Sequence, residues 1–579
     1  MSRLAITALL ASQIALGCGG EIDGPPAGLG ASGSGVATAG TGIGAAGSNA
    51  VPSGAAGTSA APPGPGAAGG GALPASGGRL PARLRRLTNA EFDASARALL
   101  GVESKFGESF TPDTRQGGFT RNDSQRVDPV FITQLSEAAQ KLAAMAKANL
   151  NNLAPCSDAA GNETCAKTFV TKFSERAYRR PATPREIEAL VTVYRAGSDG
   201  ATYADGIEAV VTAVLQSPGF LYVTEIGAGT PAAPAKLTDY EIAAQLAYLL
   251  TGAPPDDALL QAAKAGQLAA ADARTMHARR LLMTQASSKQ VVRMVHEWLG
   301  IDRIVETAKD SNVYPEFSGL RDAMKREADE FVTEVMWKSG SNVRELFAAD
   351  WTNAEDNLAR LYLNGQQPQR VNNHVSLTNV RRRGILNQAA FLSVYAHATE
   401  TAPVLRGVAL LRRIACANVP SPTSLNLNVV PPVPDPSKTT RERFTVHSKD
   451  AACASCHKSI DALGFSFESL DGMGRERKME NGRPVDSATT LMSGYTFDGS
   501  FKDSMDLVLK LADSSELRSC FARQLFRFAA ARSDTAAQPL ETDFVNAAAL
   551  LPVDAQGKLA ELLVAFVASD TFVQRGVSP

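Results

Sequence analysis

Residues 238–252 of the 579-residue chain read Thr-Asp-Tyr-Glu-Ile-Ala-Ala-Gln-Leu-Ala-Tyr-Leu-Leu-Thr-Gly, the pattern of a complete helix. Thr238 and Glu241 have the spacing of a capping box, and Gly252 ends the run. Between them, apolar residues recur at helical spacing: Ile242, Leu246, Leu249 and Leu250. This stretch is the clearest sign of an α-helical fold.

Similar patterns cover most of the chain after residue 80. Capping boxes also open runs at Thr88–Glu91 and Thr183–Glu186. Alternation typical of strands is limited to residues 220–225 and 491–497. The sequence therefore predicts a mainly α, multi-module helical body. Further predicted helices cover about residues 130–150, 166–178, 205–216, 271–283, 288–299, 318–338, 379–396, 403–415, 504–511, 516–530 and 556–567.

The first 18 residues have the pattern of an export signal that ends at a cysteine. Arg3 precedes an apolar run over residues 4–17, which is too short to span a bilayer. Gly17-Cys18 favours lipidation of Cys18, although Ala15 stands where a lipoprotein signal prefers Leu. The alternative is an ordinary signal peptide cut nearby. Both interpretations predict export to the periplasm or cell surface, where disulfides form.

Residues 19–80 are almost entirely Gly, Ala, Ser, Pro and Thr, which offer no side chains for a core. They predict a disordered tether with a reach of roughly 40–50 Å. With lipidated Cys18, this tether would hold the helical body at a membrane. The 58 basic and 59 acidic residues of the whole chain nearly balance, which does not favour a nucleic-acid partner.

Cys453-Ala454-Ser455-Cys456-His457 has the spacing of a c-type haem attachment site. Two thiols form thioethers to the haem vinyl groups, and the adjacent imidazole binds the iron. The pattern therefore predicts haem c as the cofactor, with His457 as the proximal iron ligand. Two alternatives stay open: a Cys453–Cys456 disulfide, and half of a zinc site that would need further ligands.

The remaining cysteines can be paired without leaving a free thiol. Cys156 and Cys165 flank a short polar loop and predict a local disulfide. Cys416 and Cys520 are then left as the second pair by elimination.

A low-spin electron carrier also needs a distal iron ligand, usually His or Met. His447 lies close to Cys453 in sequence, and His397 follows an apolar run. Met473 follows the motif within a glycine-flanked loop, and Met492 is a further candidate. An iron with an open distal position is the alternative to all four.

Apolar residues after the motif and basic clusters elsewhere in the chain could complete a haem site. Arg179-Arg180 and Arg381–Arg383 are candidates to bind the haem propionates. Four apolar residues follow the motif: Leu463, Phe465, Phe467 and Leu470. They could line the haem or form part of the hydrophobic core, and the two roles are compatible.

Eight stretches of the chain form a characteristic series: Leu87–Phe92, Ala177–Pro181, Leu215–Phe220, Leu237–Ala243, Arg383–Gln388, Pro403–Gly407, Cys453–Gly474 and Cys520–Phe528. In these stretches the chain resembles the multi-module surface proteins with a cytochrome-like module found in planctomycetes and myxobacteria. The resemblance implies an exported helical protein whose cytochrome-like module holds Cys453, Cys456 and His457, and it adds Gly464, Phe465 and Glu468 to that module. It does not supply a reaction.

The leading functional prediction is electron transfer between the haem and an unknown redox partner protein. Alternatives are a haem enzyme with an open distal site, of peroxidase or oxidase type, and a surface binding or scaffold protein without functional haem. The predicted boundaries are 1–18 for the signal, 19–80 for the tether, 81–150, 151–230 and 231–370 for helical modules, 371–480 for the cytochrome-like module and 481–579 for a C-terminal helical module.

Overall fold

Helices dominate the protein, and short polar signals fix where many of them begin. In the computed structural model, residues 79–157, 162–228, 235–338, 342–421, 423–425, 432–445, 451–533 and 538–576 are described. The predicted signal peptide, Cys18 and most of the tether lie outside these residues, as does His447. All described residues belong to one unit, residues 71–579.

The N-terminal helices are α1 (Asn89–Leu100), α2 (Pro129–Ala148), α3 (Leu150–Leu153), α4 (Asn162–Tyr178), α5 (Pro184–Ser198), α6 (Tyr203–Gln216) and α7 (Pro218–Leu221). The central helices are α8 (Asp239–Thr251), α9 (Asp257–Lys264), α10 (Ala271–Leu282), α11 (Gln285–Leu299), α12 (Phe317–Val332), α13 (Val343–Ala348) and α14 (Asp356–Tyr362).

The later helices are α15 (Ala389–Val394), α16 (Pro403–Ala409), α17 (Thr440–Phe444), α18 (Ala451–Phe465), α19 (Ser504–Asp513), α20 (Ser515–Ala530), α21 (Gln538–Ala549), α22 (Val553–Gln556), α23 (Leu559–Ala568) and α24 (Asp570–Val573). Wider π turns extend two helices, at Thr333–Lys338 and Leu410–Ile414, and 3-10 turns lie at Phe106–Ser109, Ile301–Val305, Ile385–Asn387 and Thr423–Leu425.

The predicted capping boxes are present and start α1, α5 and α8. In α8 the Thr238 hydroxyl accepts from the Glu241 amide, while the Glu241 carboxylate accepts from the Thr238 amide. Gly252 ends the helix with φ 63°, a left-handed conformation that favours glycine. The mainly α fold is therefore confirmed.

Buried apolar side chains form two large clusters. The first joins α1, α2, α4, α5 and α6, from Phe92 to Leu221. The second runs from Leu237 to Val573, with Leu80 and Phe119 added, and includes residues of α8, α18 and α20. The helix that carries the CxxCH motif thus shares one core with helices before and after it in sequence.

Strands are short and mostly two to four residues long: β1 (Leu80–Pro81), β2 (Arg83–Arg86), β3 (Tyr222–Glu225), β4 (Ala235–Lys236), β5 (Trp351–Thr352), β6 (Arg370–Val371), β7 (His374–Ser376), β8 (Met479–Glu480), β9 (Arg483–Pro484), β10 (Thr489–Leu491), β11 (Gly499–Phe501) and β12 (Gln574–Gly576). β1 pairs in parallel with β12, which also pairs with β4, and β2 pairs antiparallel with β3.

Three side chains, Arg83, Glu225 and Arg575, form a buried group that we call the terminal ion cluster. Glu225 Oε1 accepts from Arg83 Nη2 at 2.8 Å, and its Oε2 accepts from Arg575 Nη2 at 2.6 Å. The two arginines hold the pKa of Glu225 far below its usual range, although burial acts the other way. This cluster joins strands from the first and last described parts of the chain.

Two predicted segments differ from the structure. The helix predicted over 379–396 is reduced to a 3-10 turn and α15, because the chain turns at Gly384 with φ 56°. A Cβ there would lie 2.1 Å from the Phe347 carbonyl oxygen. The strand predicted over 491–497 ends at Leu491, because the Ser493 and Gly494 amides donate to Asp498 and close a turn.

The structure contains the disulfides Cys156–Cys165 and Cys416–Cys520, the two predicted pairs. The second connects the segment after α16 to α20, across 104 positions in sequence. Within the described residues, no helix combines the length and apolar character that crossing a membrane requires.

Candidate haem attachment site

Helix α18 carries the CxxCH motif. Cys453, Cys456 and His457 are related as i, i+3 and i+4, so they share one helix face. Both cysteines are partly exposed and neither forms a disulfide. Cys456 also packs against the larger core. The alternative of a Cys453–Cys456 disulfide is therefore not the state that the structure shows.

His457 is oriented by a carboxylate one helical turn further on. Its Nδ1 donates to Asp461 Oδ1 at 2.9 Å, and this hydrogen bond is the main cause that raises the pKa of His457. With Nδ1 bonded to Asp461, Nε2 is the nitrogen that would bind a metal. A carboxylate behind a metal-binding imidazole fixes the ring and raises its basicity. Asp461 was not predicted from the sequence, although its i+4 spacing from His457 places both residues on one helix face.

Helix α16 holds α18 in place through direct contact between the two backbones. A Cβ on Gly407 would lie 2.0 Å from the Ile460 carbonyl oxygen, and one on Gly464 would lie 2.0 Å from that of Pro403. Only glycine allows the helices to approach this closely. The position of the motif is thus set by the contact between α16 and α18.

His397 lies in the loop that leads into α16. Ala396 and Thr401 pair across this loop, and His397 is exposed. The Thr401 hydroxyl donates to Glu468 Oε2 at 2.9 Å, which connects the loop to the segment after α18. His397 as distal ligand stays a prediction.

The two methionine candidates differ strongly in exposure. Met473 is fully buried in the larger core, and its amide donates to Asp471. Met492 is 70% exposed, and the neighbouring Ser493 hydroxyl lies 2.6 Å from that of Ser459 on α18. A fully buried thioether has to displace core side chains to reach a cofactor, whereas Met492 does not.

The apolar residues after the motif are all buried: Leu463, Phe465, Phe467 and Leu470. They are core residues in this structure, which leaves the predicted additional role as haem wall untested. The guanidinium of Arg441 on α17 lies 5.3 Å from the centre of the Phe465 ring.

The basic clusters predicted for haem propionates are engaged elsewhere. Arg179 donates to the carbonyls of Gly219, Phe220 and Tyr222. Arg180 pairs with Glu186, and Arg381 pairs with Asp503 and Asp506. Arg382 and Arg383 donate to backbone carbonyls nearby. These side chains already have structural roles.

The donor set fits a covalently attached haem, which needs two thiols and one imidazole. Both thiols are unbonded, lie on one helix face and are adjacent to an oriented imidazole. For the zinc alternative, no group of three or more His, Cys, Asp or Glu side chains is arranged to hold a metal in the part of the chain that the structure describes.

Four stretches of the chain match family models, each described as a protein of unknown function. They are PSD3 (DUF1587) over residues 85–148, PSD5 (DUF1595) over 165–225, PSD4 (DUF1592) over 237–363 and PSCyt3 (DUF1588) over 382–480. The PSCyt3 match includes Cys453, Cys456 and His457. No curated protein and no solved structure matches the chain. The four models belong to a multi-module planctomycete-type family, and the chain carries matches to them in series from residue 85 to residue 480.

Proposed function

We propose that the protein carries one haem c attached through Cys453 and Cys456, with His457 as axial ligand, and transfers electrons to or from a partner protein. The observation that carries this proposal is the single face of α18 that presents two unbonded thiols and a carboxylate-oriented imidazole. The name of the PSCyt3 model that covers this segment gives further support.

The residues of α18 have distinct roles in this proposal. The thiols of Cys453 and Cys456 anchor the haem covalently, and His457 binds the iron through Nε2. Asp461 positions the imidazole and makes it a stronger donor, which stabilises the ferric state. The haem supplies a one-electron couple, and its surroundings tune the potential.

The setting we propose is a membrane surface outside the cytoplasm. Lipidation of Cys18 would anchor the chain, and the Gly-, Ala- and Ser-rich stretch would let the helical body reach its partner. The near balance of charge over the chain fits a protein partner better than a nucleic acid.

A haem enzyme with an open distal site is the second candidate, and the His457–Asp461 hydrogen bond favours it. A proximal imidazole with a carboxylate partner donates more electron density to iron, which suits activation of bound oxygen species. Carbon monoxide binding to the ferrous protein would support this candidate, whereas a low-spin spectrum that carbon monoxide leaves unchanged would support electron transfer.

The proposal is tested by a pyridine haemochrome spectrum of protein from a host with c-type cytochrome maturation. We expect a c-type α band that persists after acid–acetone extraction, and its loss in the variant Cys453→Ala/Cys456→Ala. The matched control is Cys156→Ala/Cys165→Ala, which also removes two cysteines but should keep the band. Absence of the band from the native protein would contradict the proposal and favour a tethered binding or scaffold protein.

A further inference from the structure

Arg443 on α17 is buried but incompletely paired. Its residue is only 6% exposed, and its Nη2 donates to Glu400 and to the Thr440 hydroxyl at 3.2 Å. Nε and Nη1 are buried and have no hydrogen-bond partner among the described residues. Burying the donors of a charged group without hydrogen bonds costs free energy, so we expect an acceptor to bind them.

The carboxylates around Arg443 have other partners. Glu480 accepts from the amide and hydroxyl of Thr440 at 2.8 and 2.7 Å and also pairs with Arg477. Glu442 accepts from the Thr439 amide and pairs with Arg483. The acceptor that would complete Arg443 is therefore not supplied by these neighbouring side chains.

Arg443 also lies near the C-terminal end of α18, the helix that carries the CxxCH motif. Arg441, on the same short helix, contacts Phe465, the last residue of α18. Glu400, the ion-pair partner of Arg443, lies just before Pro403, whose carbonyl touches Gly464. Cys456 and Phe465 are nine residues apart, roughly 13 Å along a helix. Arg443 is thus close to the end of α18 that is remote from the cysteines.

We infer that Arg443 binds a propionate carboxylate of the attached haem through its unused guanidinium donors. A haem has its vinyl groups and its propionates on opposite edges, so thioethers near one end of α18 leave the propionates to be bound further away. Arginine is suited to this because it stays charged and presents several donors to a carboxylate. This inference rests on the proposed function.

The inference is tested on the holoprotein by the resonance Raman band of propionate bending and by the reduction potential. In Arg443→Gln we expect the band to shift and the potential to fall, because a cation that stabilises the ferrous haem is lost. Arg441→Gln is the matched control, since Arg441 lies on the same helix and contacts Phe465 instead. It should leave the band unchanged.

Arg443→Lys keeps the charge but has fewer donors, and it serves as the second variant if Arg443→Gln does not fold. We expect it to shift the band while keeping the potential close to that of the native protein. An unchanged band and potential in folded, haem-loaded Arg443 variants would overturn the inference and leave the proposed function intact. Absence of covalent haem from the native protein would overturn both.

Discussion

Buried charged side chains are hydrogen-bonded more completely in the terminal ion cluster than around α18. Both oxygens of Glu225 accept from arginines, and no buried side-chain nitrogen or oxygen of Arg83, Glu225 or Arg575 lacks a hydrogen-bond partner among the described residues. Outside this cluster, Arg85, Arg86 and Arg121 each lack a hydrogen-bond partner only at Nε. Around α18, by contrast, Arg443 lacks hydrogen-bond partners at two nitrogens within the described part of the chain, and there Asp461 Oδ2 and Glu468 Oε1 are also buried without one. We infer that the terminal ion cluster is complete in itself, whereas the surroundings of α18 are completed by something that the chain binds.

The largest expected effect concerns Cys416–Cys520, the disulfide that connects the segment after α16 to α20. Cys416→Ala/Cys520→Ala opens a loop of 104 positions, which in the chain-entropy model costs about 5 kcal/mol. Cys156→Ala/Cys165→Ala opens a loop of 9 positions and should cost about 3 kcal/mol. Urea unfolding of both variants measures the difference. Equal losses of unfolding free energy would show that the long disulfide stabilises the fold no more than the short one does.

Glu225→Gln should break the terminal ion cluster. Removing the charge leaves Arg575 buried without its counter-ion and leaves Arg83 with only the more distant Asp123, at 3.7 Å, which costs about 3–5 kcal/mol in unfolding free energy. Because the pKa of Glu225 is lowered in the fold, its contribution is present at neutral pH and is lost as acid protonates it.

Glu163→Gln is the matched control for Glu225→Gln. It removes the exposed pair with Arg195, which solvent screens, and should change stability little. Thermal unfolding of the two variants at neutral pH compares them directly. Similar melting temperatures would contradict the role given to the terminal ion cluster.

Gly464→Ala should displace α18 from α16, because the new Cβ meets backbone rather than a mobile side chain. We expect a loss of about 1–3 kcal/mol, as for other overpacked contacts. Gly319→Ala on α12 is the control, since that position is open and alanine favours a helix by up to about 1 kcal/mol. Denaturant midpoints should therefore move in opposite directions, and a stabilised Gly464→Ala variant would argue against the close contact.

The smallest expected effect is a change in the pH dependence of stability that separates two buried glutamates, Glu225 and Glu327. Glu327 accepts from the Thr352 and Tyr362 hydroxyls at 2.5 and 2.6 Å, and no arginine among the described residues donates to it. Burial raises its pKa to about 7. Between pH 5 and 7, Glu327 is therefore protonated in the folded protein, whereas in the unfolded chain, where its pKa is lower, it is ionised. The free energy of unfolding falls as the pH rises through this range.

The contribution of Glu327 to the pH dependence of the unfolding free energy should be at most about 1.4 kcal/mol per pH unit. This contribution should be absent from Glu327→Gln, because glutamine stays neutral. Unfolding free energies of both proteins at several pH values measure this difference. A parallel pH dependence in the two proteins would mean that Glu327 stays ionised in the fold.

The sequence predicted the helices whose ends carry strong local signals. The capping box and left-handed glycine of α8 are examples, because both act within a few residues. Helix α18 was not predicted, since CxxCH interrupts its apolar periodicity. The helix predicted over 379–396 failed at Gly384, where the backbone lies directly against Phe347, a residue remote in sequence.

The same distinction applies to the candidate site. Cys453, Cys456 and His457 were identified because their chemistry is encoded in five consecutive residues. The contact of Gly464 with Pro403 and the incomplete pairing of Arg443 depend on segments about 40 to 60 positions away. Such contacts have no local signature, so only the fold could reveal them.

The central claim is that α18 carries a covalently bound haem, and peptide mapping by mass spectrometry tests it most directly. Protein from a host with c-type maturation should yield one peptide containing Cys453 and Cys456 that is heavier by one haem. The four other described cysteines should appear in their two disulfide-linked pairs. A peptide with Cys453 and Cys456 as free thiols, or bonded to each other, would contradict the account.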